Sequence, residues 1–218
     1  MKADRAAWMW IALTMALHAG IWWRDGWRTS PLAAPAFALP GPMQRTADVA
    51  PIWWEEFIDP HPAEASAHVS SICELPSGRL AAAWYAGTRE GDSDVAIYVA
   101  TQDAGPTGGW SRPQRVITRE TAATETFRFV QKVGNPLLFS NGDGILNLLY
   151  VTVGFGGWSS SSLNFKQSLD GGRTWSFSRR LGLSPFFIVS ELVKNGPTRL
   201  AGGGWVVPIY HEVIGKFP

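Results

Sequence analysis

Short apolar stretches separated by glycine-bearing turns recur along the chain from residue 69 onward, and each recurrence follows one plan. A strand of four or five residues (71–75, 136–139, 197–200) leads through a turn into a longer strand (80–85, 145–153, 205–210). Apolar, β-branched and aromatic residues fill these runs while Gly, Pro, Asn and Asp bound them, which is the distribution expected of strands and turns. After the first two units a third strand follows, over 94–101 and 160–168, then a hairpin and a tryptophan. The segments 69–87, 133–154 and 194–213 therefore align. The repeating unit is about 65 residues with four short strands, the spacing of propeller blades.

A different pattern opens the chain. Residues 6–23 carry His18 as their one ionisable group, with Lys2 and Arg5 before them and Arg24 and Asp25 after. This run predicts a membrane or signal helix within residues 1–29, with Trp8, Trp10, Trp22 and Trp23 near its ends as interfacial anchors. As an uncleaved anchor it would be a single membrane pass, with the N-terminus in the cytoplasm and the body in the periplasm or exterior. The alternative is a cleaved signal peptide ending at Ala36-Phe37-Ala38 and a secreted product. Prolines at 31, 35, 40, 42 and 51 predict a linker over 30–51. The globular body then covers 52–218, with blades near 66–117, 130–180 and 187–218.

Composition narrows the partners. The 218 residues are 45% hydrophobic, enough to bury a sizeable core, and 19 basic against 18 acidic residues form no basic stripe that would track phosphates. Nucleic acid is excluded as an expected partner. Cys73 is the single cysteine, so no intrachain disulfide forms, and its strand-like flanks predict a buried, inert thiol. His18, His61, His68 and His211 are far apart and no phosphate-binding glycine loop precedes a helix, so neither a metal nor a cofactor is expected.

The sharpest motif is Ser-x-Asp-x-Gly-x-Thr-Trp at 168–175, carried by Ser168, Asp170, Gly172, Thr174 and Trp175. Gly171 and Gly172 can take positive φ, the Ser and Asp side chains accept from backbone N–H groups, and Trp175 packs the turn onto its sheet. A degraded copy places Thr101, Asp103, Gly105 and Thr107 in register with Ser168, Asp170, Gly172 and Thr174, followed by Trp110.

With this Asp-box, the blade repeat, and the stretches Gly134-Asn135-Pro136, Gly156-Gly157-Trp158-Ser159 and Tyr210-His211-Glu212, the chain resembles the N-terminal part of bacterial sialidase-like (neuraminidase-like, BNR-repeat) proteins over about residues 65–218. The resemblance implies an all-β, six-bladed β-propeller, of which two blades are complete here and a third stops after its second strand. The chain is thus expected to be a piece of a longer protein. It implies an exo-glycoside hydrolase acting on terminal sugars of glycoconjugates or exopolysaccharide, with a Tyr nucleophile paired to a Glu, an Asp acid/base and three clamping arginines. Asp92 or Asp94, in the loop after the second strand, takes the acid/base place, and a calcium role for that loop lacks enough oxygens. Glu212 takes the place of the Glu that activates the Tyr. Tyr210 reads as a packing residue, since the family's Tyr comes from a late blade. His68, Arg89 and His211 are candidate substrate contacts. Where the family carries its first arginine this chain has His68-Val69-Ser70-Ser71, which leaves open a propeller that binds carbohydrate without cleaving it, or an inactive fragment.

Overall fold

A computed structural model describes residues 5–26, 53, 55–103, 108–141, 144–183, 190–200 and 204–212. It divides into two units, residues 1–53 and 54–218. In the first unit the apolar run forms helix α1, Arg5–Gly26. Among the described residues no helix is long and apolar enough to cross a membrane, so the expected spanning helix is not supported. Its four tryptophans, Thr14 and His18 dilute the Leu, Ile and Met, and indole favours the membrane interface over hydrocarbon. The expected linker and the Ala36-Phe37-Ala38 site lie outside the described residues.

The second unit is built from antiparallel meanders. Strands β1 (Ser66–Glu74), β2 (Leu80–Gly87), β3 (Ala96–Gln102) and β4 (Gln114–Ile117) form one sheet in sequence order. Strands β5 (Lys132–Ser140), β6 (Leu146–Val153), β7 (Ser162–Ser168) and β8 (Arg179–Arg180) form the second. The pairing repeats with a constant offset: Glu74↔Leu80 matches Ser140↔Leu146, and Leu80↔Gln102 matches Leu146↔Ser168, each member 66 residues from its counterpart. Both first strands bulge at the same place, between His68 and Ser71 and between Gly134 and Leu137. Val69 and Asn135, the residues after His68 and Gly134, both have φ 46. Asn tolerates that conformation, whereas a β-branched Val is strained there.

The sheets stack face to face. Ala81, Ala83 and Tyr85 of β2 pack with Leu146, Leu148 and Tyr150 of β6 in one buried cluster. The alternate β6 residues Leu149, Val151 and Val153 join Leu137 and Leu163 in another, closed by Leu192 and Val193. Strand β6 is accordingly buried along its whole length, as the middle layer of a stack must be. This is an all-β, propeller-like arrangement, and the described sheets do not close into a ring. The third unit is a hairpin in pieces: β9 (Leu192–Val193) pairs with β12 (Ile209–Tyr210), and β10 (Thr198–Arg199) pairs with β11 (Trp205–Val206). Pro197 and Pro208 stand at the breaks, each lacking the N–H that a ladder needs.

Helix α2, Arg119–Thr126, lies between the two sheets in sequence and was not expected. Its start is a capping box between Thr118 and Thr121, and its end is Phe127 with φ 54. The helix ties itself to the second sheet through Glu125, which accepts from Lys166 Nζ at 2.8 Å and from the Ser178 N–H at 2.7 Å. Tyr150 Oη donates to Ser178 Oγ at 2.6 Å, extending the network into the core. Burial works to raise the Glu125 carboxyl, but the bonds from Lys166 and Ser178 outweigh it and hold it below its ordinary value.

The Asp-box forms as expected. Ser168 Oγ accepts from Gly172 N at 2.8 Å, and the Asp170 carboxylate accepts from Thr174 N at 2.9 Å and Thr174 Oγ1 at 2.6 Å. Gly171 and Gly172 have φ 72 and 96, and the Trp175 indole N–H donates to Gly172 O at 3.2 Å. The register of the degraded copy is corrected by one residue. Ser111 N donates to Thr101 O, and Ser111 Oγ accepts from Thr101 N, as Ser176 does with Gln167. Thr101 therefore matches Gln167, and Gln102 stands where Ser168 stands. Asp103 is thereby moved off the Asp170 position, and its carboxylate lies 3.5 Å from Arg79 Nε. Gly105 and Thr107 of the copy lie outside the described residues.

Candidate functional site

The strained bulges open onto a shared space. Val69 and Asn135 line a cavity of about 280 Å³ together with Tyr85, Glu90, Trp158, Lys194, Tyr210 and Glu212, so all three repeat units contribute to its wall. Tyr85 and Tyr210 come from the second strands of the first and third units, Glu90 from the loop after β2, and Trp158 from the short 3-10 helix Gly157–Ser160.

The tyrosines carry most of the local chemistry. Tyr85 Oη donates to Glu90 Oε1 at 3.1 Å; burial first, then the Glu90 charge and this bond, push its hydroxyl up to about 12. Tyr210 Oη accepts from Asn135 Nδ2 at 3.4 Å, and burial followed by the Glu212 charge pushes it up while Asn135 opposes. Both phenols are protonated at neutral pH and serve as hydrogen-bonding groups. Lys132 Nζ sits 4.7 Å from the centroid of the Trp158 ring. The cavity thus offers two carboxylates, two phenols, an amide and an ammonium, a set suited to a ligand rich in hydroxyls.

The structure brings Glu212 to this cavity and keeps the other expected residues outside its wall. Arg89 Nε contacts both oxygens of Asp92 at 3.0 Å, an exposed pair within the loop. Asp94 Oδ2 accepts from Thr88 Oγ1 at 2.6 Å and Thr88 N at 2.9 Å, bonds that hold its carboxyl below the ordinary value. His68 stacks on Tyr85 at 5.8 Å between centroids, with Nε2 2.8 Å from Ser66 Oγ and Nδ1 3.9 Å from Glu90 Oε2. It stacks against Tyr85 and lines another cavity, between the first sheet and residues 56–64, with Trp84 and Tyr98. His211 is turned to the Ser190 carbonyl, Nδ1 to O 2.9 Å. Tyr210 and Glu212, on either side of it, line the cavity.

Sequence reading missed Tyr85, Glu90 and Lys194. One signal for Tyr85 was present: it lies five residues after the first residue of its second strand, Leu80, as Tyr210 lies five after Trp205. Nothing marked Glu90 over Asp92 and Asp94 in the same loop. Among the described residues no group of three or more His, Cys, Asp or Glu is placed to hold a metal ion. Burial pushes the Cys73 thiol up to about 11, an unreactive state.

The family model of the BNR repeat-like domain matches residues 78–218, and the chain belongs to that family. No curated protein matches it. Among solved structures, it is similar to the Hadza microbial sialidase Hz136, with 16% identity and a TM-score of 0.44 over 54% of this chain and 26% of that one. It is also similar to a protein of unknown function from Dyadobacter fermentans DSM 18053, with 15% identity and a TM-score of 0.46 over 63% of this chain and 44% of that one. The chain spans less than half the length of either.

Proposed function

We propose that, as a BNR repeat-like protein, the chain supplies part of a sialidase-type exo-glycoside hydrolase, a six-bladed propeller in its full form, acting on terminal sugars of glycoconjugates or exopolysaccharide. The observation that carries the proposal is the cavity itself. Three repeat units place Tyr85, Glu90, Asn135, Tyr210 and Glu212 around one space. Carboxylates and phenols lining one cavity can bind sugar hydroxyls and can move a proton to or from a glycosidic oxygen. Glu90 and Glu212 are the carboxylates of this reading, and Trp158 is its apolar wall. A panel of fluorogenic sialosides and neutral glycosides tests it on the full chain. Turnover that falls at least a hundredfold in Glu212→Gln and Glu90→Gln supports hydrolysis.

A second reading, a propeller that binds glycan without cleaving it, is favoured by one observation. Asp92 and Asp94 are occupied by Arg89 and Thr88 and do not line the cavity. Glycan binding by calorimetry with no turnover selects it. Export belongs to the same proposal: Lys2 and Arg5 ahead of the apolar run support a signal peptide. Recovery of the chain from the cytosolic fraction overturns export.

A further inference from the structure

At the hairpin ends of the first two sheets lies a groove of about 340 Å³ whose wall includes Arg79, Arg112 and Arg173 with Thr101, Ser111 and Gln114. It is separate from the Tyr85 and Tyr210 cavity and shares no lining residue with it. The two hairpins are joined across it, since Gln114 Nε2 donates to Arg173 O at 3.3 Å. Three arginine residues therefore line one groove that this bond braces.

Arg79 is the informative member. Its Nη2 is held by Thr101 Oγ1 at 3.2 Å, which fixes the guanidinium plane. Its Nε is buried and makes no hydrogen bond. Asp103 Oδ1 pairs with that Nε only at 3.5 Å, and the Asp103 side chain is 81% exposed. The Arg79 guanidinium is thus held in place by Thr101 and a single long contact to an exposed carboxylate, and its positive charge stays available to an anion in the groove. The guanidinium also lies against the Asp-box turn, with Nη1 3.7 Å from where a Cβ on Gly171 would be.

We propose that this groove is a binding site for an oxyanion, with Arg79 as its fixed donor and Arg112 and Arg173 as exposed arms closing over the ligand. Planar guanidinium groups favour sulfate, phosphate or carboxylate over halide, because they bind two oxygens at once. The anion is either free in solution or a substituent of an acidic oligosaccharide. Asp103 is the competitor: it holds the same Nε at long range and repels the ligand.

Calorimetry on the full chain at constant ionic strength, titrating inorganic sulfate, inorganic phosphate and a sulfated oligosaccharide, tests the site. Saturable binding is expected to weaken about tenfold or more in Arg79→Gln, the loss of one charge-assisted hydrogen bond. Arg112→Gln and Arg173→Gln, at exposed positions that do not threaten folding, are expected to weaken it by smaller factors, and Asp103→Asn is expected to tighten it. Tight binding of the oligosaccharide with weak binding of free anions assigns the substituent, and comparable binding of all three assigns the free anion. Absence of saturable binding overturns the proposal, as does binding that is indifferent to Arg112→Gln, Arg173→Gln and Asp103→Asn. Glycoside turnover is independent of these outcomes.

Discussion

The first two sheets share one strand ladder and differ in almost everything attached to it. Their pairings agree residue for residue at an offset of 66 through the first three strands. At the position of Lys166 in the second sheet the first has Ala100, and at that of Tyr150 it has Trp84. The second sheet therefore holds α2 through a buried Glu125–Lys166 pair, while in the first sheet Trp84 stacks on Tyr98 at 6.1 Å beside an open cavity. The turns differ in the same way. In one, Asp170 gathers the N–H and hydroxyl of Thr174; in the other, one extra residue moves Asp103 toward Arg79. The ladder needs only alternation and backbone pairing, whereas side chains decide what each sheet is fastened to.

Breaking the attachments of the second sheet should cost more than altering their counterparts in the first. The largest effect is expected from Glu125→Ala, which strands a Lys166 side chain only 4% exposed and should cost about 3 kcal/mol in urea unfolding. The double variant Glu125→Ala/Lys166→Met should recover part of that loss. Trp175→Ala removes a half-buried indole from the core cluster and should cost about 2 kcal/mol, while Trp110→Ala should cost less than half as much. Gly172→Ala forces a side chain onto φ 96 with its Cβ 3.2 Å from Leu146 Cδ1, for about 1 to 2 kcal/mol. The matched control is Gly109→Ala, whose added Cβ meets nothing within 4 Å and which should stay within about 0.5 kcal/mol.

The smallest contrast lies between the two aspartates. Hydrogen bonds from Thr174 and Ser168 hold the Asp170 carboxyl well below its ordinary value. A carboxyl depressed in the folded state adds stability above its unfolded value, near 3.9, and loses it as pH falls through the folded one. Asp170→Asn should lower Tm at pH 7 and flatten the decline of Tm below pH 4, while Asp103→Asn should leave both unchanged. A scan of Tm against pH for the two variants checks this, and equal behaviour would erase the distinction between the hairpins.

Much of this was legible in the residues and some of it was not. Strand positions in the first two sheets followed from runs such as 80–85 and 145–153, because period, β-branching and bounding glycines act locally. The turn at 168–175 was legible for the same reason, the bonds of Ser168, Asp170 and Trp175 that shape it closing within four residues. Helix α2 escaped notice because its eight residues bury only Ala122 and so show no apolar stripe.

By itself, the sequence determined the repeating ladder, the Asp-box turn and the likeness to a family of propellers, since each is written in contacts between residues near in sequence or at a fixed spacing. Only the tertiary structure decided that Gln102, not Thr101, matches Ser168, because a one-residue insertion is resolved by cross-strand pairing alone. It also decided that Tyr85, Glu90, Tyr210 and Glu212 meet while Asp92 and Asp94 turn to their own loop. That convergence depends on β6 being buried from both sides by residues as distant as Tyr85 and Leu192, and stacking over such separations leaves no local pattern to read.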